Sequence, residues 1–151
     1  MKDLAALGLS LSIKQENISR SSQHVIRGLH YQKSPKAQAK WVHVAYGCIF
    51  DVAVDIRPES PTYLQWVSAV LSDKNRHMLM IPAGFAHGFY VMSDYADVIY
   101  KCDAYYAPDY EGSIHWHDDT LAIAWPLGAA SPIVSPKDSM APCIHHNTQP
   151  L

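Results

Sequence analysis

Cysteine is scarce in this chain. The three residues present, Cys48, Cys102 and Cys143, lie far apart and are odd in number, which argues against both a disulfide framework and a CxxC zinc site. None has a legible partner beside it that would make it a nucleophile, so each reads as a small core or surface residue. Long apolar runs are also missing. Nothing approaches the roughly eighteen consecutive apolar residues of a membrane span, and Lys2 and Asp3 before a short apolar stretch do not follow a signal-peptide plan. Charge of one sign is equally lacking. A net charge of -2 supplies no basic field for tracking a nucleic-acid backbone and no polybasic membrane segment. The expected setting is therefore small-molecule chemistry in a cytoplasmic protein, with neither nucleic acid nor membrane as a partner.

Helical periodicity, internal repeats and low-complexity segments are scarce or absent too, and what remains is strand and turn. The 151 residues, 48% of them hydrophobic, suit one domain over 1–151 that buries a substantial core. Asp3–Leu7 reads as a short helix ended by Gly8, and the residues from about His145 as a polar tail. Lys40–Ile56 carries Val42, Val44, Ile49, Val52, Val54 and Ile56 around Tyr46-Gly47, a pattern that predicts two strands of a hairpin. Trp66–Leu71 and Met78–Ile81 predict further strands. Pro82-Ala83-Gly84 marks a turn, Gly88–Met92 leaves it, and Ala96–Cys102 follows the polar Ser93-Asp94 break. Six or more closely spaced strands imply an all-β barrel or sandwich, for which an antiparallel jelly roll is the simplest single-domain solution.

The densest chemistry sits in Arg27-Gly28-Leu29-His30-Tyr31-Gln32, then Lys40, then Pro82–Phe89 with His87. Two imidazoles, a guanidinium and an ammonium in strand-like surroundings form a set that can bind an anion and move a proton within it. Arg27 and His30 fall on opposite faces of a regular strand, but a bulge at Gly28 would bring both to one cavity. The planar fork of Arg27 suits a phosphate, and the compact charge of Lys40 suits an oxygen that gains charge during reaction. His115-Trp116-His117-Asp118-Asp119 offers a metal-like His-x-His spacing, yet reads equally as a strand end and turn. No metal or other cofactor is expected.

Several motifs occur together and in order: Gln15–Ser21, Arg27–Gln32, Phe50–Arg57, Ser60-Pro61-Thr62, Pro82–Phe89, Tyr105-Tyr106-Ala107-Pro108 with Glu111, and Ser135-Pro136-Lys137-Asp138. From roughly Lys2 to Pro142 the chain resembles the dTDP-4-dehydrorhamnose 3,5-epimerase family. The resemblance implies a cupin jelly roll, a homodimer, no metal, and action on a nucleotide-diphosphate 4-keto-6-deoxy sugar. It further implies His30 as the base with Asp138 as its dyad partner, Tyr100 as the proton donor across the ring, and Lys40 as the enolate stabiliser. Gln15, Glu16, Asn17, Arg27, His87, Glu111 and Lys137 match the family's ligand contacts. Metal-binding cupins use an HxH pair, whereas here Gly28 and Gln32 flank His30 alone. Members usually begin with some thirty more residues, including an Asp-x-Arg-Gly-x-Phe type segment, and this chain starts after that point. The alternatives are a single-centre epimerase or 3,4-ketoisomerase on a related sugar, or a non-catalytic nucleotide-sugar binding module.

Overall fold

A computed structural model describes residues 12–144. The described strands are β1 (Gln15–Ser22), β2 (Val25–Gln32), β3 (Lys40–Tyr46), β4 (Cys48–Asp55), β5 (Trp66–Ser72), β6 (Met78–Ile81), β7 (Phe85–Val91), β8 (Tyr95–Cys102), β9 (Glu111–Ser113) and β10 (Ile133–Val134). A 3-10 turn at Pro108–Tyr110 and a four-residue helix, α1 (Pro136–Ser139), complete the described regular structure. The helix expected at Asp3–Leu7 and the tail from about His145 lie outside the described residues.

The strands form two sheets, in the orders β1-β8-β3-β6 and β10-β2-β7-β4-β5, with β9 also paired to β2. Every pairing is antiparallel except the two-residue one between β10 and β2. This is the expected all-β jelly roll. Between the sheets Val42, Val44, Ile49, Leu71, Phe89, Val91 and Val98 form one core. On the far side of the larger sheet Ile26, Val52, Val54, Ala86 and Tyr90 meet Ile114, Leu121 and Trp125 from the later loops. Strands β4 and β7 are thus covered on both faces, which explains why they read as near-continuous apolar runs rather than as alternation. Carboxylates inside such a run need partners, and Asp51 and Asp55, both almost fully buried, have them.

The hairpin expected over Lys40–Ile56 does not form. Both strands lie at the expected positions, but β3 pairs with β6 and β8 while β4 pairs with β5 and β7. The chain crosses between sheets at Gly47, whose φ of +86° and absent Cβ let it pass against the Tyr95 carbonyl, 2.2 Å from where a Cβ would sit. Pro82–Gly84 makes a similar crossing from β6 to β7.

The bulge inferred at Gly28 is present. Arg27 pairs with Phe89 and His30 with His87, so Gly28 and Leu29 together oppose Gly88. The extra residue resets the alternation and turns both Arg27 and His30 toward the space between the sheets.

Candidate active site

One end of the inter-sheet space is not filled by the core and forms a cavity of about 570 Å³. Its walls are unlike the apolar end. The larger sheet supplies Arg27, His30, His87 and Phe89; the smaller sheet supplies Asn17, Lys40, Tyr100 and Cys102; α1 and β9 bring Lys137, Asp138 and Glu111 to the rim.

His30 and Asp138 are a tight pair, Nε2 to Oδ1 at 2.5 Å. Asp138 is held by its own backbone. Its N–H donates to the Ser135 hydroxyl, which caps α1, and its second carboxylate oxygen accepts from Gly28 N–H. Burial works to raise the Asp138 pKa, but the His30 hydrogen bond and charge, with the Gly28 and Ser135 contacts, win and hold it below the ordinary carboxylate value. An ionised Asp138 fixes the imidazole, so His30 presents a set tautomer to the cavity. A second pair stands on the same sheet. His87 Nε2 lies 2.7 Å from Asp51 Oδ1, with Asp51 wholly buried and its other oxygen without a hydrogen-bond partner.

The opposite wall carries Tyr100 and Lys40. The Tyr100 phenol is pushed up by burial and pulled back by its hydrogen bond with Ser19 and the charge of Arg27. Burial pushes the Lys40 ammonium down, with Cys102, Asp51 and Glu111 opposing it. Among the described residues neither Lys40 nor Arg27 enters an ion pair, whereas Lys137 is engaged with Glu111 at 2.6 Å. Tyr106 O–H donates to the same Glu111 oxygen at 2.9 Å. Two cations without a carboxylate partner among the described residues therefore face the cavity, which favours an anionic occupant.

Ten of the eleven residues singled out from the sequence are at or beside this cavity. Gln15 acts from one step away, its amide bonding Asn17 and accepting from Tyr106 N–H. Glu16 is the exception. The β1 register pairs it with Lys101 on the outer face of the smaller sheet, where the two form a 2.5 Å ion pair, because strand neighbours point to opposite faces. Sequence reasoning missed Asp51, Ser19, Ser21 and Tyr106. The first is a carboxylate set in an apolar run, a legible sign of a buried partner, and the serines belong to a polar alternation in β1. His115 lies in irregular chain just after β9 and His117 in the turn that follows, so neither is on a strand. Asp118 beside them caps backbone N–H groups of Thr120, Leu121 and Ile144.

The arrangement matches known proteins closely. The family model described as dTDP-4-dehydrorhamnose 3,5-epimerase matches residues 1–146. This chain belongs to that family. A relative in Salmonella typhimurium, named dTDP-4-dehydrorhamnose 3,5-epimerase, is 49% identical over 138 residues, covering 91% of this chain and 75% of the relative. Among solved structures, the dTDP-6-deoxy-D-glucose-3,5-epimerase of Legionella pneumophila, in complex with dTDP-4-keto-L-rhamnose, superposes with a TM-score of 0.89 at 51% identity, covering 95% of this chain and 76% of that one. The Bacillus anthracis epimerase with TDP and pyrophosphate bound gives 0.91 at 46% identity, covering 95% and 81%. The jelly roll described above is accordingly the cupin-type fold of these epimerases.

Proposed function

We propose that the cavity inverts C3 and C5 of dTDP-4-keto-6-deoxy-glucose, making this chain an isomerase of nucleotide-sugar metabolism, in dTDP-L-rhamnose biosynthesis. The C4 ketone acidifies the hydrogens on both neighbouring carbons. His30, oriented by Asp138, removes one as a proton, and the electron pair of the broken C–H bond moves onto the C4 oxygen as an enolate. Lys40 stabilises that oxygen. Tyr100 returns a proton to the opposite face of the carbon, the C4 carbonyl re-forms, and the centre is inverted. Carbon acids exchanged in this way undergo no net oxidation, so the chemistry calls for no electron carrier. Arg27, exposed at the rim, would meet the diphosphate, with Gln15, Asn17, His87, Glu111 and Lys137 orienting the rest of the substrate.

One observation carries this reading: His30 and Tyr100 stand on different sheets and face the same cavity. Inversion needs a base and an acid on opposite sides of a ring, and two walls of a sandwich supply that. The active unit is proposed to be a homodimer, argued below from the outer face of the smaller sheet.

The test is incubation with dTDP-4-keto-6-deoxy-glucose in heavy water, following deuterium at C3 and C5 by NMR. Both positions should exchange. His30→Ala should abolish exchange, while Tyr100→Phe should allow some proton removal but little inversion. Exchange at one carbon only would replace the 3,5-epimerase with a single-centre enzyme, and full activity in both variants would refute the assigned roles.

A further inference from the structure

Strand β1 is built inside out. Its inner-face positions are Gln15, Asn17, Ser19 and Ser21, all polar, while Ile18 on the outer face is 68% exposed. A strand of a sandwich ordinarily places apolar side chains inward, so the inverted pattern marks β1 as a wall of the cavity rather than of the core. Three of these four residues hold part of the site. Gln15 fixes the Tyr106 backbone, Ser21 accepts from Arg27 Nε at 2.8 Å, and Ser19 hydrogen-bonds the hydroxyl of Tyr100. The register explains the last contact: Asn17 lies opposite Tyr100 and Ser19 opposite Val98, which makes Ser19 the diagonal same-face neighbour of Tyr100.

We propose that Ser19 is a positioning residue for proton donation by Tyr100, aiming the phenol at the sugar and donating a hydrogen bond to the phenolate that proton transfer leaves behind. The proposal rests on Tyr100 being the acid. In that step the Tyr100 O–H bond breaks, its electron pair stays on the phenolate oxygen, and the enolate electrons form the new C–H bond as the C4 carbonyl is restored. Ser19 keeps its own O–H bond throughout. The proton gained by His30 and the one lost by Tyr100 re-equilibrate through solvent, so the protein ends unchanged. A serine hydroxyl has the required versatility, since it accepts from the neutral phenol and donates to the phenolate. The need is physical: Tyr100 is buried, and burial disfavours the phenolate.

The experiment compares Ser19→Ala, Ser19→Thr and Tyr100→Phe in heavy water, measuring both net inversion and deuterium returned to unreacted substrate. Ser19→Ala should lower inversion about 10- to 100-fold, the range for losing a hydrogen bond to a charged group. Proton removal by His30 should persist, so the ratio of exchange to inversion should rise about tenfold or more. Threonine should restore both quantities, because it keeps the hydroxyl and suits a strand. An unchanged ratio in Ser19→Ala overturns the proposal, whether its rate is normal or uniformly reduced. So does a threonine variant that stays impaired while folded by circular dichroism. If Tyr100→Phe epimerises normally, the acid assignment itself fails; if only that variant is impaired, Ser19 alone is dismissed.

Discussion

In its proposed role Lys40 has to be charged in a place that disfavours charge. Burial lowers its pKa, and Cys102, Asp51 and Glu111 push the other way. As an enolate stabiliser it works only while protonated, so activity should fall as pH rises through a value below the ordinary lysine range. Asp51 has a specific part in this balance, because its wholly buried carboxylate favours the charged form of Lys40 and also holds His87. Asp51→Asn should therefore move the basic limb of the pH–rate profile to lower pH, in addition to loosening His87. A limb that stays in place would show that Asp51 does not support the Lys40 charge. Lys40→Met, which keeps the length and removes the charge, should cost about 10²–10³ in kcat, as other losses of oxyanion stabilisation do. A full parental rate in that variant would remove Lys40 from the chemistry.

At the scale of elements, the bulge between Arg27 and His30 decides whether the two side chains share a cavity. Gly28 holds φ at +115°, and a Cβ there would lie 2.6 Å from both the Gly88 Cα and the His87 carbonyl oxygen. Gly28→Ala should cost about 1–3 kcal/mol from backbone strain alone, with further loss from the clash, and should remove most activity by displacing His30 from Asp138. Thermal unfolding and turnover measured together check this, and a parental Tm with parental turnover would show that the bulge tolerates a side chain. The Asp55 cluster is a second such device. Its carboxylate accepts from Arg57, Ser60 and Thr62 and closes the loop after β4. Arg57 chiefly depresses the Asp55 pKa against the opposing effect of burial, with Ser60 and Thr62 assisting. A depressed folded-state value contributes stability that is present above the unfolded value of 3.8 and is lost as pH falls through the folded one. Asp55→Ala should destabilise by about 2–4 kcal/mol and flatten the acid side of the stability profile. An unchanged urea midpoint would sink that expectation.

These elements also show what a sequence can disclose. Strand positions were legible because the inter-sheet faces of β3 and β8 alternate and β4 and β7 run apolar. Strand partners were not, since period-two alternation reports which face is buried and says nothing of which strand lies alongside; hence the hairpin expected across Gly47 proved to be a crossing between sheets. The same limit misplaced Glu16, a neighbour of Gln15 and Asn17 in the chain but on the other face of the sheet. His30 and Asp138 lie within the ordered motifs, and Tyr100 and Lys40 come with the resemblance those motifs carry, whereas the partners of Ser19 and Asp51 stand 81 and 36 positions away in the chain and only the fold brings them near.

For the whole molecule, the remaining question is what covers the outer face of the smaller sheet. Registers place Ile18, Ile99, His43 and Met78 in one cross-strand row, with Lys101, Trp41 and Met80 in the next. Ile18, Met78 and Met80 are 68%, 51% and 36% exposed, more apolar surface than a sheet facing only water usually keeps. Trp41 Nε1 and His43 Nδ1 on this face are buried without hydrogen-bond partners, a cost that a second copy bringing acceptors would relieve. The ion pairs Glu16–Lys101 and Arg20–Asp97 stand at its border, as a polar rim would. The proposed homodimer accordingly uses this face, and a two-fold interface repeats any substitution on both sides. Ile18→Asp combined with Met78→Asp would set acidic groups into the apolar row twice over. Sedimentation equilibrium should find the parent as a dimer and this variant as a folded monomer. A parent that sediments as a monomer would refute the dimer, and a variant that stays dimeric would move the interface to another surface.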